Sequence, residues 1–278
     1  MNSVRERELA YHEKLYSGFA QSHFARPAVR ALRRHMVAQI LKLTGAGAGS
    51  RVLSLGCGIG DTELLLARHV AEVVGVDLSP AAIRQARADA EKLGVRNARF
   101  EEGGIIPATA TKADGATRAD GITGSNGATR ADGATGAADR YDVAIAVFFL
   151  HHLPDEELDE LPGRLKTTLN PGGVFYSLDP SSRRLSAAVG RRLIPNLMKK
   201  YQTADERELE PAPTAERFRR AGFETRVEMY DFGSSPLAGL FPGWAAGYRV
   251  ARRLDDVLLR AAWLRRRGSN FEVVARLP

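Results

Sequence analysis

The feature that most constrains this chain is one continuous unit from Arg51 to Asp77. It opens with R-V-L-S-L, a short apolar run of the kind a buried strand requires, and passes directly into G-C-G-I-G-D. Glycine at 56, 58 and 60 permits a sharp turn at φ values that other residues avoid, and leaves a ligand room against the main chain. Asp61-Thr62-Glu63 then starts a helical run, T-E-L-L-L-A-R-H-V, whose free N–H groups face the same crevice. A second apolar run, Val73 to Val76, carries Asp77 to the tip of the next strand. A carboxylate there can accept both hydroxyls of a ribose, so the unit suits a nucleoside-containing cofactor. The spacing argues against a dinucleotide. The fingerprint G-x-G-x-x-G needs its last glycine where Asp61 stands, and Gly60 comes one residue early.

Further segments follow in order: V-G-V-D-L-S at 74–79, Y-D-V-A-I-A-V-F-F-L-H-H-L at 141–153, and L-N-P-G-G-V-F at 169–175. With V-L-S-L-G-C-G-I-G they resemble the class I S-adenosylmethionine-dependent methyltransferases, of the small-molecule type, over roughly residues 50–180. The resemblance implies an α/β fold, a doubly wound, seven-stranded, mostly parallel Rossmann-like sheet with an antiparallel last strand. The residues alone show only alternation of strands and helices. The resemblance also implies S-adenosylmethionine as cofactor. Gly56, Cys57 and Gly58 would floor its site, with Gly60 completing the loop. Asp77 would hold the ribose hydroxyls and Leu78 would flank the adenine, while Ala146 and Val147 would lie near the methionine portion. Ser54 belongs to the same expected set, but it stands where the family usually has an acid that helps fix the methionine end. A second departure is Gly103-Gly104, where Gly-Asp is common.

The 278 residues suffice for one well-buried domain with an appendage. No apolar run approaches the roughly 18 residues that span a bilayer, and the charged start M-N-S-V-R-E-R-E does not read as a secretory signal. The single cysteine, Cys57, excludes an internal disulfide and any multi-cysteine metal site, so no metal is expected and the setting reads as cytoplasmic. The formal net charge of +7 is unevenly placed: residues 181–268 hold 18 Arg/Lys against 10 Asp/Glu. Such a surface is either simply solvated or faces an acidic partner, membrane headgroups or an anionic substrate.

Residues 1–46 read as an N-terminal helical lid, two helices broken near Arg26-Pro27, and 47–278 as the methyltransferase domain. By the resemblance Tyr11, His12 and Tyr16 are candidate lid residues. Ser79-Pro80 starts a capped helix that Gly94 ends. Residues 108–139 form a repeat of period six (A-T-K-A-D-G, A-T-R-A-D-G) with almost no large apolar residue, read as a disordered insertion. Pro162-Gly163 should kink or divide the helix at 154–169. Asn170 to Gly173 should be a turn into a strand at 174–178. Acceptor-side insertions are expected at 181–212 and 231–268, the second with a helix at about 244–264 whose stripe is Tyr248, Ala251, Leu254, Leu258 and Ala262.

His151 and His152, just past the fourth strand, are the candidate catalytic residues, since a neutral imidazole can take a proton from a hydroxyl acceptor. The alternative is a capping or packing role. No Asn/Asp-Pro-Pro-aromatic run follows the fourth strand, which argues against base-nitrogen methylation, and no separate nucleic-acid module is present. The reading is therefore methyl transfer to a small, hydrophobic or lipid-like acceptor. RNA or protein methylation and a cofactor-binding fold without catalysis are the alternatives. The basic helix further suggests weak peripheral contact with an anionic membrane. Oligomeric state is not legible.

Overall fold

A computed structural model describes residues 25–104, 140–184 and 208–278. Tyr11, His12 and Tyr16, the repeat at 108–139 and residues 185–207 of the first acceptor-side insertion lie outside the described residues.

The described elements are α1 (Pro27–Thr44), β1 (Arg51–Leu55), α2 (Asp61–Leu66), β2 (Glu72–Asp77), α3 (Pro80–Leu93) and β3 (Ala98–Glu102). Then come β4 (Tyr141–Val147), a 3-10 turn (Leu150–His152), α4 (Asp155–Thr168), β5 (Leu169–Pro180), α5 (Pro211–Arg220) and β6 (Glu224–Asp231). The chain closes with α6 (Ser234–Leu240), α7 (Ala245–Leu258), α8 (Ala262–Arg265) and β7 (Asn270–Arg276). The seven strands form one sheet in the order β3-β2-β1-β4-β5-β7-β6, and only β7 runs antiparallel to its neighbours. The expected seven-stranded, doubly wound α/β sheet is the observed one.

Side-chain alternation along the strands sends apolar residues to both faces. On β1 and β4, Leu53, Leu55, Ala144 and Ala146 join Leu161, Leu165 and Phe218 of α4 and α5 on one face. Val52, Val143 and Ile145 join Leu32, Met36 and Ile40 of α1 on the other. α1 is thus part of the sheet's own packing. α3 starts as expected: the Ser79 hydroxyl accepts the Ala82 N–H, Pro80 stands at the first helical position, and Gly94 ends the helix with φ 66°.

Three local expectations are corrected. α4 is one continuous helix rather than two short ones: it runs through Pro162, which is buried among the helix's core-facing residues. β5 begins at Leu169. Tyr141 pairs with Leu169 and Val143 with Val174, so Asn170–Gly173 bulge outward within the strand, held by the Asn170 amide on Asp142 (2.8 Å). The helix expected at 244–264 is instead α7 and α8, with a break between them.

Candidate active site

The crevice lies outside the carboxyl ends of β1 and β4, where the strand order reverses. Beyond Leu55 the chain turns through Gly56 (φ 63°), Gly58 (φ 52°) and Gly60 (φ 74°) into α2. Two of these positions exclude a side chain by space as well as by φ. The Phe149 ring occupies the place of a Cβ on Gly56, and the Phe100 ring would lie 2.6 Å from one on Gly60. The Cys57 N–H donates to the Val76 carbonyl at 3.0 Å, tying the loop to β2, while burial pushes the Cys57 thiol well up and keeps it protonated.

Asp77 ends β2 beside this loop. Its Oδ2 accepts the Gly58 N–H at 2.8 Å and its Oδ1 accepts the Ser79 N–H at 2.9 Å. Two backbone donors therefore orient the carboxylate, and each oxygen retains a lone pair for a further hydroxyl donor. Leu78 follows at 54% exposure, an apolar surface next to that carboxylate.

Ser54 stands on β1 just ahead of the glycine loop. It is buried, and its Oγ donates to Glu63 Oε1 at 2.6 Å. Glu63 is buried in the first turn of α2, and burial pushes its carboxyl up to about 7 against the opposing hydrogen bond from Ser54. Its Oε2 has no hydrogen-bond partner. A buried carboxylate from α2 thus stands in direct contact with Ser54 of β1. Arg33 of α1 reaches the same corner, pairing with Asp61 at 2.7 Å and donating to Thr62 Oγ1 at 3.2 Å.

At the end of β4, Phe148 takes φ 55°, the only non-glycine with positive φ among the described residues. This conformation is strained for a bulky residue. It reverses the chain, directs the Phe149 ring onto Gly56 and begins the turn that holds both histidines. His151 is buried. Its Nδ1 lies 3.0 Å from Asp179 Oδ1, which also accepts the His151 backbone N–H at 3.3 Å. Asp179 is fully buried near the end of β5, and its Oδ2 has no hydrogen-bond partner. A carboxylate at this distance accepts from Nδ1–H, fixing the tautomer and leaving Nε2 as the basic nitrogen. The His152 ring lies 4.1 Å from that of His151, centroid to centroid.

The structure therefore gathers Gly56, Cys57, Gly58, Gly60, Asp77 and Leu78 around one loop. Ala146 is fully buried with its side chain in the core, so only its backbone can border the crevice, and Val147 is half-buried. Sequence reasoning missed Glu63, Phe149 and Asp179. Asp179, an acid directly after the apolar run V-F-Y-S-L, carried a usable signal; Glu63 and Phe149 looked like ordinary helix and core residues. Residues 181–184 and 208–210 run together at the end of β5. Leu209 N–H donates to the Pro180 carbonyl (3.3 Å), Ser182 N–H to the Leu209 carbonyl (3.0 Å), and Arg184 pairs with Glu208 (2.6 Å).

The family described as "Methyltransferase domain" matches residues 28–227. A ubiquinone biosynthesis O-methyltransferase of Acinetobacter baylyi is 25% identical over 239 residues, covering 84% of this chain and 88% of that protein. A 23S rRNA (uracil(1939)-C(5))-methyltransferase of Xylella fastidiosa is 48% identical, but over 69 residues only, 25% of this chain and 16% of the relative's length. Among solved structures, the magnesium protoporphyrin IX methyltransferase of Synechocystis, with bound SAH, aligns with a TM-score of 0.54 and 15% identity. That alignment covers 90% of this chain and 84% of the other.

Proposed function

Since the chain belongs to the class I S-adenosylmethionine-dependent methyltransferases, we propose that it transfers the methyl group to the hydroxyl oxygen of a small, hydrophobic acceptor. The residues present fit the cofactor. Asp77 offers an oriented carboxylate to a ribose diol, and Leu78 an apolar surface to a base. Gly56 to Gly60 supply open backbone, and Glu63 holds a buried carboxylate oxygen without a partner near a site expected to receive an ammonium. When bound, S-adenosylmethionine supplies a methyl group made electrophilic by its sulfonium.

The observation that carries the acceptor reading is the buried His151–Asp179 pair at the mouth of the crevice. Asp179 holds Nδ1–H, which leaves Nε2 to take the proton of the acceptor hydroxyl. Asp179 then stabilises the imidazolium, and the proton leaves to water after product departs. The near full-length likeness to a ubiquinone biosynthesis O-methyltransferase supports an oxygen acceptor on a hydrophobic molecule. The rRNA enzymes support RNA methylation less, because their match spans only a quarter of this chain. We read the setting as cytoplasmic, consistent with the free, buried Cys57.

The test is transfer of labelled methyl from the cofactor into cell-extract fractions sorted as lipids, small metabolites, RNA and protein. Label is expected in the lipid or small-metabolite fraction. Label confined to RNA or protein overturns the acceptor class, and cofactor binding with no label anywhere supports the non-catalytic alternative. His151→Ala should lower kcat about 10²–10⁴-fold with cofactor affinity retained. Asp179→Asn should lower kcat through the same histidine.

A further inference from the structure

The acceptor-side insertion between β6 and β7 turns its apolar face outward. Among the described residues ten large hydrophobic side chains are exposed, and eight of them lie between Leu240 and Trp263. α7 shows how this arises. Its buried face is Tyr248, Arg252 and Asp255, held by polar contacts: Arg252 donates to the Tyr230 carbonyl at 2.8 Å, and Asp255 accepts the Ser234 N–H at 2.9 Å. The opposite face carries Val250, Leu254, Val257 and Leu258, at i, i+4, i+7 and i+8, with Leu254 58% and Val257 60% exposed. Phe241 and Trp244 extend the surface from α6 in edge-to-face contact, and Trp263 of α8 is 75% exposed. Exposed cations flank it: Arg249, Arg253, Arg260 and the run Arg265-Arg266-Arg267. The only acids between 240 and 267 are Asp255 and Asp256. The first is buried and the second pairs with Arg252 at 2.7 Å, so the outer face is strongly positive.

We propose that this face of α6–α8 docks on an anionic lipid bilayer. An interfacial helix needs aliphatic and aromatic side chains to enter the acyl boundary and cations to meet the headgroups, and both are present on one surface. A second copy of the chain fits less well, since a two-fold contact would set these arginines against each other. RNA would engage the arginines but would not reward the aliphatic stripe. The surface sits at the same edge of the sheet as the crevice, because β6 runs parallel to β5 and α6 follows its carboxyl end. The inference rests on the patch and is independent of which acceptor is methylated.

The chain's two tryptophans, Trp244 and Trp263, both lie in the patch and report on it directly. The full chain is mixed with vesicles of phosphatidylcholine alone or with about one third phosphatidylglycerol, and intrinsic fluorescence and co-sedimentation are read at low and high salt. A blue shift and sedimentation with anionic vesicles only, reversed by salt, are expected. Leu254→Asp/Val257→Asp and, separately, Arg265/Arg266/Arg267→Ala should each reduce binding at least about tenfold. Circular dichroism and retained S-adenosylhomocysteine affinity establish that each variant is folded. The proposal is overturned by absence of a shift at low salt, by binding indifferent to the Leu254/Val257 variant, or by sedimentation velocity showing a dimer which that variant dissolves. Because the wild-type fluorescence arm requires no variant and no methyl transfer, its outcome stands apart from that of the acceptor reading.

Discussion

At the scale of single residues, the carboxylates decide the site. Asp77 has both oxygens oriented by backbone N–H groups before any ligand arrives, so its remaining lone pairs are already directed. Asp77→Ala should weaken S-adenosylmethionine and S-adenosylhomocysteine binding by about 2–4 kcal/mol, measured by calorimetry, through loss of two charge-assisted hydrogen bonds. Unchanged affinity would remove Asp77 from the ribose site. Asp77 stood out in the sequence because it ends the apolar run that follows the glycine loop and its helix. Glu63 did not, because only the folded contact with Ser54 distinguishes it from a helix surface residue. Asp179 likewise gains its meaning from His151, which is 28 positions away in the chain but is hydrogen-bonded to it in space.

At the scale of elements, buried carboxylates tie the α6–α7 unit to the end of β6, beside the apolar contacts of Ala238 and Tyr248. Asp255 accepts the N–H groups of Gly233 (3.1 Å) and Ser234 (2.9 Å), and Asp231 accepts that of Ser235 (2.7 Å), satisfying the start of α6. Asp255→Ala leaves those buried donors unpaired. It should destabilise the fold by about 1–3 kcal/mol, with hydrogen exchange rising first in α6 and α7 and last in β1, β4 and β5. Uniform exchange changes would mean that the insertion and sheet open together. Of the helical apolar stripe read from the sequence, Tyr248 is buried, while Leu254 and Leu258 are exposed beside Val250 and Val257. Periodicity says that one face is apolar and is silent on whether that face is covered. Polar anchoring at Arg252 and Asp255 rotated α7 so that Leu254 and Leu258 point outward. In α4 packing prevailed over a local rule in the same way, since Pro162 lies in the core and the helix continues.

For the whole molecule, burial of acids sets the response to pH. Glu63 and Glu272 are both raised from 4.5 to about 7, chiefly by burial, and Glu272 also accepts the Tyr176 hydroxyl at 2.6 Å. A raised carboxyl pKa favours the neutral form in the folded state. Its contribution is therefore fully present below about 4.5 and is lost as pH rises through about 7. Glu63→Gln keeps the hydrogen bond from Ser54 without the charge. It should raise Tm at pH 8, corresponding to about 1–3 kcal/mol, and change it little at pH 4, as followed by calorimetric melting across that range. An equal shift at both pH values would show that Glu63 does not ionise in this window. By itself the sequence determined the alternation of strands and helices, the glycine turn after β1 and the cap of α3, because strand runs, glycine spacing and helix caps are local and survive reading in one dimension. The tertiary structure alone decided which carboxylate meets Ser54, which acid holds His151 and which face of α7 meets the surroundings. Those are contacts set by the fold, as the pairing of β4 beside β5 brings Asp179 to His151, and no local period encodes them.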